Sequence, residues 1–454
     1  MKMYETTQSV EKYLNVELEC DCGRTHYAPI KAIDIKSGAI NDLPGYVKDL
    51  GYSYPYIICD KITYELAGRK CEELLTAAGI RCHVLIIKHL GFDEATLGEI
   101  VINKLDDCDL MVGCGTGSIT DMLRYASFKL KLPCFTIPTA APMDGFSASV
   151  GIMNVNNLKA TMPAHSTEII IGDTDILSGA PFRMTLAGFA DLIGKLNSLS
   201  DWHLAALING DHYCAHIDKM ITDYVYDILG KCDALKNRDP RAIGDVLNAL
   251  LLSGATISLY GSSRAISGAE HHFSHYLEVL GEQRGKPYAM HGEQVAVGTV
   301  LTLLLAELLS DEDIDFDAAR AAAAAYDAEQ WQCEIRRAYG AAADAIIELE
   351  AQSGKNGTAA RLHRIDTMEA HWGEIRAMLK GVYSSAKLRE LLKYLGCPAD
   401  PADIGVSPEL LKDALLYCKE TRARYTIFQL AWDLGVLERL SGRIVAQLQA
   451  EGRV

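Results

Sequence analysis

Short apolar runs alternate with helix-patterned stretches over roughly the first 180 residues, and then the alternation stops. Tyr56–Asp60, Cys82–Ile87, Asp109–Val112 and Cys134–Pro138 read as strands. A helical pattern follows the first of these to about Ala78, and an amphipathic one covers Ile119–Leu130. Strands that alternate with helices imply βαβ units and a parallel sheet. Beyond about Pro181 strand signals nearly vanish, and helix follows helix with Gly, Pro and Asp between them, as at Ala318–Ala325 and Lys387–Lys393. The expected architecture is an α/β domain with a parallel sheet over residues 1–180, then an all-α domain over 181–454 whose last helices extend it.

Composition narrows the function classes. The chain has 454 residues, 49% apolar and 23% charged, a globular profile. Against 44 Lys and Arg stand 60 Asp and Glu, a net charge of −16 that repels phosphate backbones and argues against nucleic acid as a partner. Thirteen irregularly spaced cysteines suit a reducing compartment better than a disulfide framework. The N-terminal residues lack the apolar core of a signal peptide. The longest apolar run, Val295–Ala306, falls short of the roughly 20 residues of a membrane span. The expectation is a cytoplasmic protein without a membrane span.

Two regions carry chemistry. Gly113-x-Gly115-x-Gly117 follows a strand and opens a helix, where backbone N–H groups and the helix dipole favour a phosphate. Alone the loop reads equally well as a tight turn. Together with Asp60, at the end of an earlier strand, it reads as a dinucleotide site. A carboxylate at Asp60 accepts from ribose hydroxyls and disfavours a 2′-phosphate, so NAD is expected, with NADP as the alternative. In the helical half, His271 and His275 are four apart and share a helix face. His291 follows a turn containing Gly285 and Pro287. Imidazoles from adjacent helices converge on a divalent ion that a carboxylate completes, and Asp191, alone among apolar and small residues, is the best candidate. Two further stretches look similar. Asp211–His216 has two histidines four apart but no third ligand, and reads as an ordinary helix. Cys20, Cys22 and His26 have ligand chemistry, but no fourth ligand is evident and a β-turn at Gly23 explains them as well, with a structural zinc as the alternative.

In order along the chain stand Asp60, Gly113–Asp121, Pro138–Gly145, the Asp191 segment, His271-x-x-x-His275 and His291-Gly292-Glu293. This series resembles the superfamily of dehydroquinate synthase, glycerol dehydrogenase and the metal-dependent alcohol dehydrogenases. The Thr139–Gly145 stretch (TAAPMDG), Glu270–His275 and the run from Asp191 to Trp202 are most similar to the sn-glycerol-1-phosphate dehydrogenase family, particularly its bacterial branch. The likeness covers about residues 50–310. It implies a dehydroquinate synthase-like fold, with Asp191, His271 and His291 holding one zinc or nickel ion. It implies that Asp60, Gly115, Gly117, Ser118, Ile119, Thr120, Asp121, Thr139, Ala140, Ala141 and Pro142 contact the dinucleotide. The serine after Asp144 is Ser147 or Ser149, since the family spacing falls between them. Asp144, His275 and Asp191 would face the substrate. Two neighbouring histidines depart from the family pattern; the spacing to His275 favours His271 over His272.

The resemblance also implies the reaction: reversible NAD(P)H-linked reduction of dihydroxyacetone phosphate to sn-glycerol 1-phosphate, the ion polarising the C2 carbonyl. His275, or a water at the ion, would supply the proton. Lys195 and Arg264 are candidates for the substrate phosphate. The implied assembly is a homodimer or larger homo-oligomer. Alternatives are a glycerol or polyol dehydrogenase, a dehydroquinate synthase-like lyase, which needs more Lys and Arg around its substrate, and a non-catalytic binding protein.

Overall fold

Buried on both faces, a parallel strand needs an unbroken apolar run, and four segments of this chain supply one. The structure is a computed structural model that describes residues 13–88, 91, 93–155 and 158–454. Its strands are β1 (Leu18–Glu19), β2 (Thr25–His26), β3 (Ala32–Lys36), β4 (Pro55–Asp60), β5 (His83–Ile87), β6 (Leu110–Gly115), β7 (Cys134–Pro138), β8 (Val150–Val155), β9 (Leu158–Pro163) and β10 (Ile169–Asp173). The helices used below are α1 (Gly117–Leu130), α2 (Phe182–Ile193), α3 (Lys195–Asn209), α4 (Pro240–Tyr260), α5 (Ala269–Gln283) and α6 (His291–Ser310).

By packing the chain divides into two units, Met1–Leu192 with Lys219–Ser263, and Ile193–Asp218 with Arg264–Val454. In the first, six strands form one parallel sheet in the order β3-β10-β7-β6-β4-β5. Side chains alternate between two cores: Ile57, Cys59, Val112 and Cys114 enter one, Tyr56, Ile58 and Met111 the other. The expected α/β half is therefore present, as is the helical half. Sequence patterning finds β4, β5 and β7 to within one residue and β6 to within three. It misses β3, whose AIDIK is only half-buried, the hairpin of β8 and β9, and β10, whose end Asp173 is a buried helix cap.

The second unit is all helical. One apolar core joins α3, α5 and α6 to the helices after residue 310, through Leu204, Phe273, Leu301, Ile335, Leu411, Phe428 and Leu440. The C-terminal stretch thus belongs to the same core as the histidine-bearing helices. Buried Asp201 adds a polar tie, its two oxygens accepting from Ala269 N and Ile427 N at 2.7 Å each. The helices α4 and α6 are long and apolar enough to cross a membrane, but 78% and 89% of those windows are buried inside the protein. Core packing accounts for their composition.

Candidate active site

In the sheet unit the glycine loop serves packing first. A Cβ at Gly115 would stand 2.6 Å from Ile119 Cγ1, so only glycine lets the end of β6 lie against the first turn of α1. Thr116, the residue before α1, caps it with no side-chain bond, so Gly117, Ser118 and Ile119 head the helix where an anion is favoured. Thr139 N donates to Gly115 O at 3.2 Å and ties the end of β7 to this loop. Thr139, Ala140 and Ala141 are buried, and Gly188 of α2 has no side chain because the Ala141 carbonyl occupies that space.

Asp60 ends β4. Its Oδ1 accepts from Ile62 N at 2.7 Å and Thr63 N at 2.8 Å, while Thr63 Oγ1 accepts from Asp60 N at 3.0 Å. This capping box fixes the carboxylate and leaves Oδ2 directed elsewhere. Thr120 and Asp121 are buried, and Asp121 is ion-paired with Arg124, itself fully buried. That pairing gives Asp121 a framework role, with Arg124 also donating to Ala148 O. The two serines separate clearly. Ser147 is fully buried and donates to Leu251 O at 2.6 Å, whereas Ser149 is half-buried.

Asp144 and Asp191 meet in this unit. Asp144 N donates to Asp191 Oδ2 at 3.0 Å, and Ser253 Oγ of α4 donates to Asp144 Oδ2 at 2.7 Å. Gly254, next to Ser253, lets α4 approach because the Asp144 carbonyl fills the place of its side chain. Asp191 is fully buried, two residues from the end of α2. A carboxylate so placed needs cationic or N–H partners.

In the helical unit three imidazoles cluster. Ring centroids of His271 and His291 are 5.2 Å apart, those of His275 and His291 6.0 Å, and those of His271 and His275 6.1 Å. The cluster forms because His271 and His275 lie one turn apart on α5 and His291 begins α6. Gly298 of α6 permits the approach, since a Cβ there would stand 2.7 Å from Glu270 O. Each ring is held at Nδ1 by a carboxylate. Glu270 takes His271 at 2.7 Å; Glu278 takes His275 at 3.0 Å with one oxygen and His291 at 2.9 Å with the other. A carboxylate only accepts, so each Nδ1 carries the proton and each Nε2 keeps its lone pair. These are donor atoms fit for a divalent metal ion. His272 is different: fully buried, both ring nitrogens without hydrogen bonds among the described residues, and pushed well below the ordinary histidine range by burial.

Sequence reading missed Glu278, although it lies three residues after His275 and seven after His271 on the same helix face. It also missed Arg422 and Arg424. Arg424 Nη1 donates to Ser267 O at 3.0 Å, and its guanidinium is pulled down to about 10 by burial and by neighbouring Arg264 and Arg422, against the pull of Glu270. Burial lowers Arg422 also, opposed by Glu278. Arg424 thus feels the charges of Arg264, Arg422 and Glu270, and Arg422 that of Glu278. Arg264 is additionally ion-paired with Asp211, and Lys195 is fully buried on α3.

Residues 34–181 match the model of the iron-containing alcohol dehydrogenase family. The glycerol-1-phosphate dehydrogenase [NAD(P)+] of Bacillus subtilis is 30% identical over 292 residues, 63% of this chain and 74% of that one. The chain belongs to the glycerol-1-phosphate dehydrogenase family. The relative from Halalkalibacterium halodurans extends the likeness, at 27% identity, to 91% of this chain and 95% of its own. Glycerol dehydrogenase from Schizosaccharomyces pombe shares the fold, with a TM-score of 0.58 and 17% identity over 94% of this chain and 92% of that one. The family resemblance drawn from scattered motifs is thus borne out, and it reaches past residue 310 into the C-terminal helices.

Proposed function

We propose that this chain is a metal-dependent dehydrogenase that reduces dihydroxyacetone phosphate to sn-glycerol 1-phosphate with NADH or NADPH, reversibly. The observation that carries the reading is the facing pair His271 and His291, each with Nδ1 on a carboxylate, in a chain of this family. Asp191, His271 and His291 would hold one divalent ion, zinc or nickel. Bound there, the ion supplies Lewis-acid polarisation of the C2 carbonyl. The nicotinamide supplies the hydride.

The chain's own residues do the rest. Glu270 and Glu278 fix the tautomers of the histidines. His275, with Nδ1 on Glu278, exchanges a proton at the C2 oxygen through Nε2, and Glu278 stabilises its imidazolium form. Ser253 holds the Asp144 carboxylate toward the substrate. The amide groups heading α1 and the Thr139–Pro142 backbone receive the pyrophosphate, and Ser149 is the better placed of the two serines. Asp60 Oδ2 reads the ribose and favours NAD. Arg264, Arg422 and Arg424 are the candidates for a phosphate site, since an anion offsets the mutual repulsion that Arg264 and Arg422 exert on Arg424. We further propose a cytoplasmic homo-oligomer, supported by the exposed Val101, Ile102 and Leu105 of the sheet unit.

The test is NADH oxidation by metal-reconstituted protein, with dihydroxyacetone phosphate against dihydroxyacetone. Turnover of the phosphorylated ketone alone, giving a product that an sn-glycerol-3-phosphate-specific enzyme rejects, is expected. Turnover of the unphosphorylated ketone alone would make it a polyol dehydrogenase.

A further inference from the structure

The cysteine–histidine stretch near the N-terminus is used by none of the groups above. Its geometry is that of a knuckle. Leu18 pairs with His26 and Glu19 with Thr25 across the β1–β2 hairpin. The turn closes through Gly23 N donating to Cys20 O at 3.0 Å, with Gly23 at φ +84°, a conformation that favours glycine. Cys20 and Cys22 thus sit on the turn and His26 on the strand leading away. The two sulfurs and one His26 ring nitrogen lie within 4.8 Å of one another.

The histidine is set for a ligand's role. His26 is buried, and its Nδ1 lies 2.7 Å from Leu259 O. A carbonyl only accepts, so Nδ1 carries the proton and Nε2 presents a lone pair. That lone pair faces Cys22 Sγ at 3.5 Å. Zinc bonds of about 2.3 Å to sulfur and about 2.0 Å to nitrogen, at tetrahedral angles, place the two atoms about 3.5 Å apart. A thiol–imidazole hydrogen bond has similar length, but it gives no reason for a second thiol, Cys20, to share the place. The hairpin is also clamped at a second point: Arg24 stacks on Tyr260, 5.2 Å from the ring centre, and its Nη1 donates to Tyr260 O at 3.4 Å. Both clamps grip the last turn of α4. A backbone carbonyl on the far nitrogen of a ligating histidine is the usual way such a ring is oriented.

We propose that Cys20, Cys22 and His26 bind a structural zinc ion that pins the N-terminal hairpin to α4. The ion takes the thiolate sulfurs and Nε2, and the thiol protons leave to solvent. A closed site takes four donors, and the chain's other cysteines are the source for the fourth, a third thiolate.

Cobalt(II) alone, added to the metal-free full chain under reducing conditions, separates this site from the oxygen and nitrogen donors of Asp191, His271 and His291. A thiolate-to-cobalt absorption band in the near ultraviolet is expected in the native chain and in His291→Ala, and it should vanish in Cys22→Ser. Zinc content should fall by one equivalent per chain in the same variant. A Cys214→Ser variant that also loses the band identifies that buried thiol as the fourth donor. Should Cys22→Ser fail to fold, alkylation of the native chain reads the same point: zinc should shield Cys20 and Cys22. Equal labelling with and without zinc, or no cobalt–thiolate band in the native chain, overturns the proposal.

Discussion

Asp60 and Asp191, in the sheet unit, are held by backbone N–H groups; in the helical unit Glu278 is held by two imidazoles, and Glu270 shares one oxygen between the His271 imidazole and the Gly268 N–H. The difference is one of reach. A backbone donor comes with the local chain trace, so the carboxylate's setting is encoded within a few residues, or by the loop it touches. A side-chain donor depends on another side chain, which a single substitution removes. The helical unit's chemistry therefore rests on fewer, more separable atoms, and single substitutions there should cut deeper.

The sharpest break comes from removing a ligand. His291→Ala should lower turnover by about a thousandfold or more, since Lewis-acid stabilisation is worth several kcal/mol. Bound metal should fall with it while circular dichroism stays native. Full activity in this variant would remove the proposed ion from the reaction. Next is Glu278→Gln, which leaves shape but takes away the charge that both His275 and His291 share. Loss of such an outer partner costs roughly 10- to 100-fold in metal affinity or activity. A pH–rate profile that keeps its shape would count against the role given to His275. Arg422→Ala should raise KM for dihydroxyacetone phosphate by about tenfold or more, the worth of a charge-assisted hydrogen bond, and leave dihydroxyacetone unaffected. Equal effects on both ketones would take the phosphate away from this arginine. The smallest effect belongs to the sheet unit. Asp60→Ser keeps a capping oxygen and should shift the NADH-to-NADPH ratio of kcat/KM by only about tenfold. An unmoved ratio would mean that the ribose is read elsewhere.

The same contrast explains what the sequence made legible. Strands β4, β6 and β7 announce themselves as buried apolar runs, and the glycine loop and Asp60 lie at strand ends where such a fold places ligands. His271, His275 and His291 were legible from helix spacing and from the resemblance. Glu278 was within reach of the same spacing argument, yet an acid on a helix is ordinarily a solvated one. Arg422 and Arg424 had no such signal, for they follow a short turn well over a hundred residues beyond His275. Ser147 and Ser149 were inseparable by spacing; burial and the Leu251 carbonyl separate them. The paired histidines divide the same way, one to the cluster and one to the core.

Asp201 carries a consequence for how such a chain is made. Its carboxylate joins the first residue of the histidine-bearing α5 to Ile427. A ribosome releases Asp201 and Ala269 long before Ile427 emerges. Until then the carboxylate has only half its partners, and α5 lacks the neighbours in whose core it packs. The sheet can assemble during synthesis, but the histidine cluster reaches its final setting only as the last stretch of chain arrives, so the ion proposed for it would be captured only when translation is almost over.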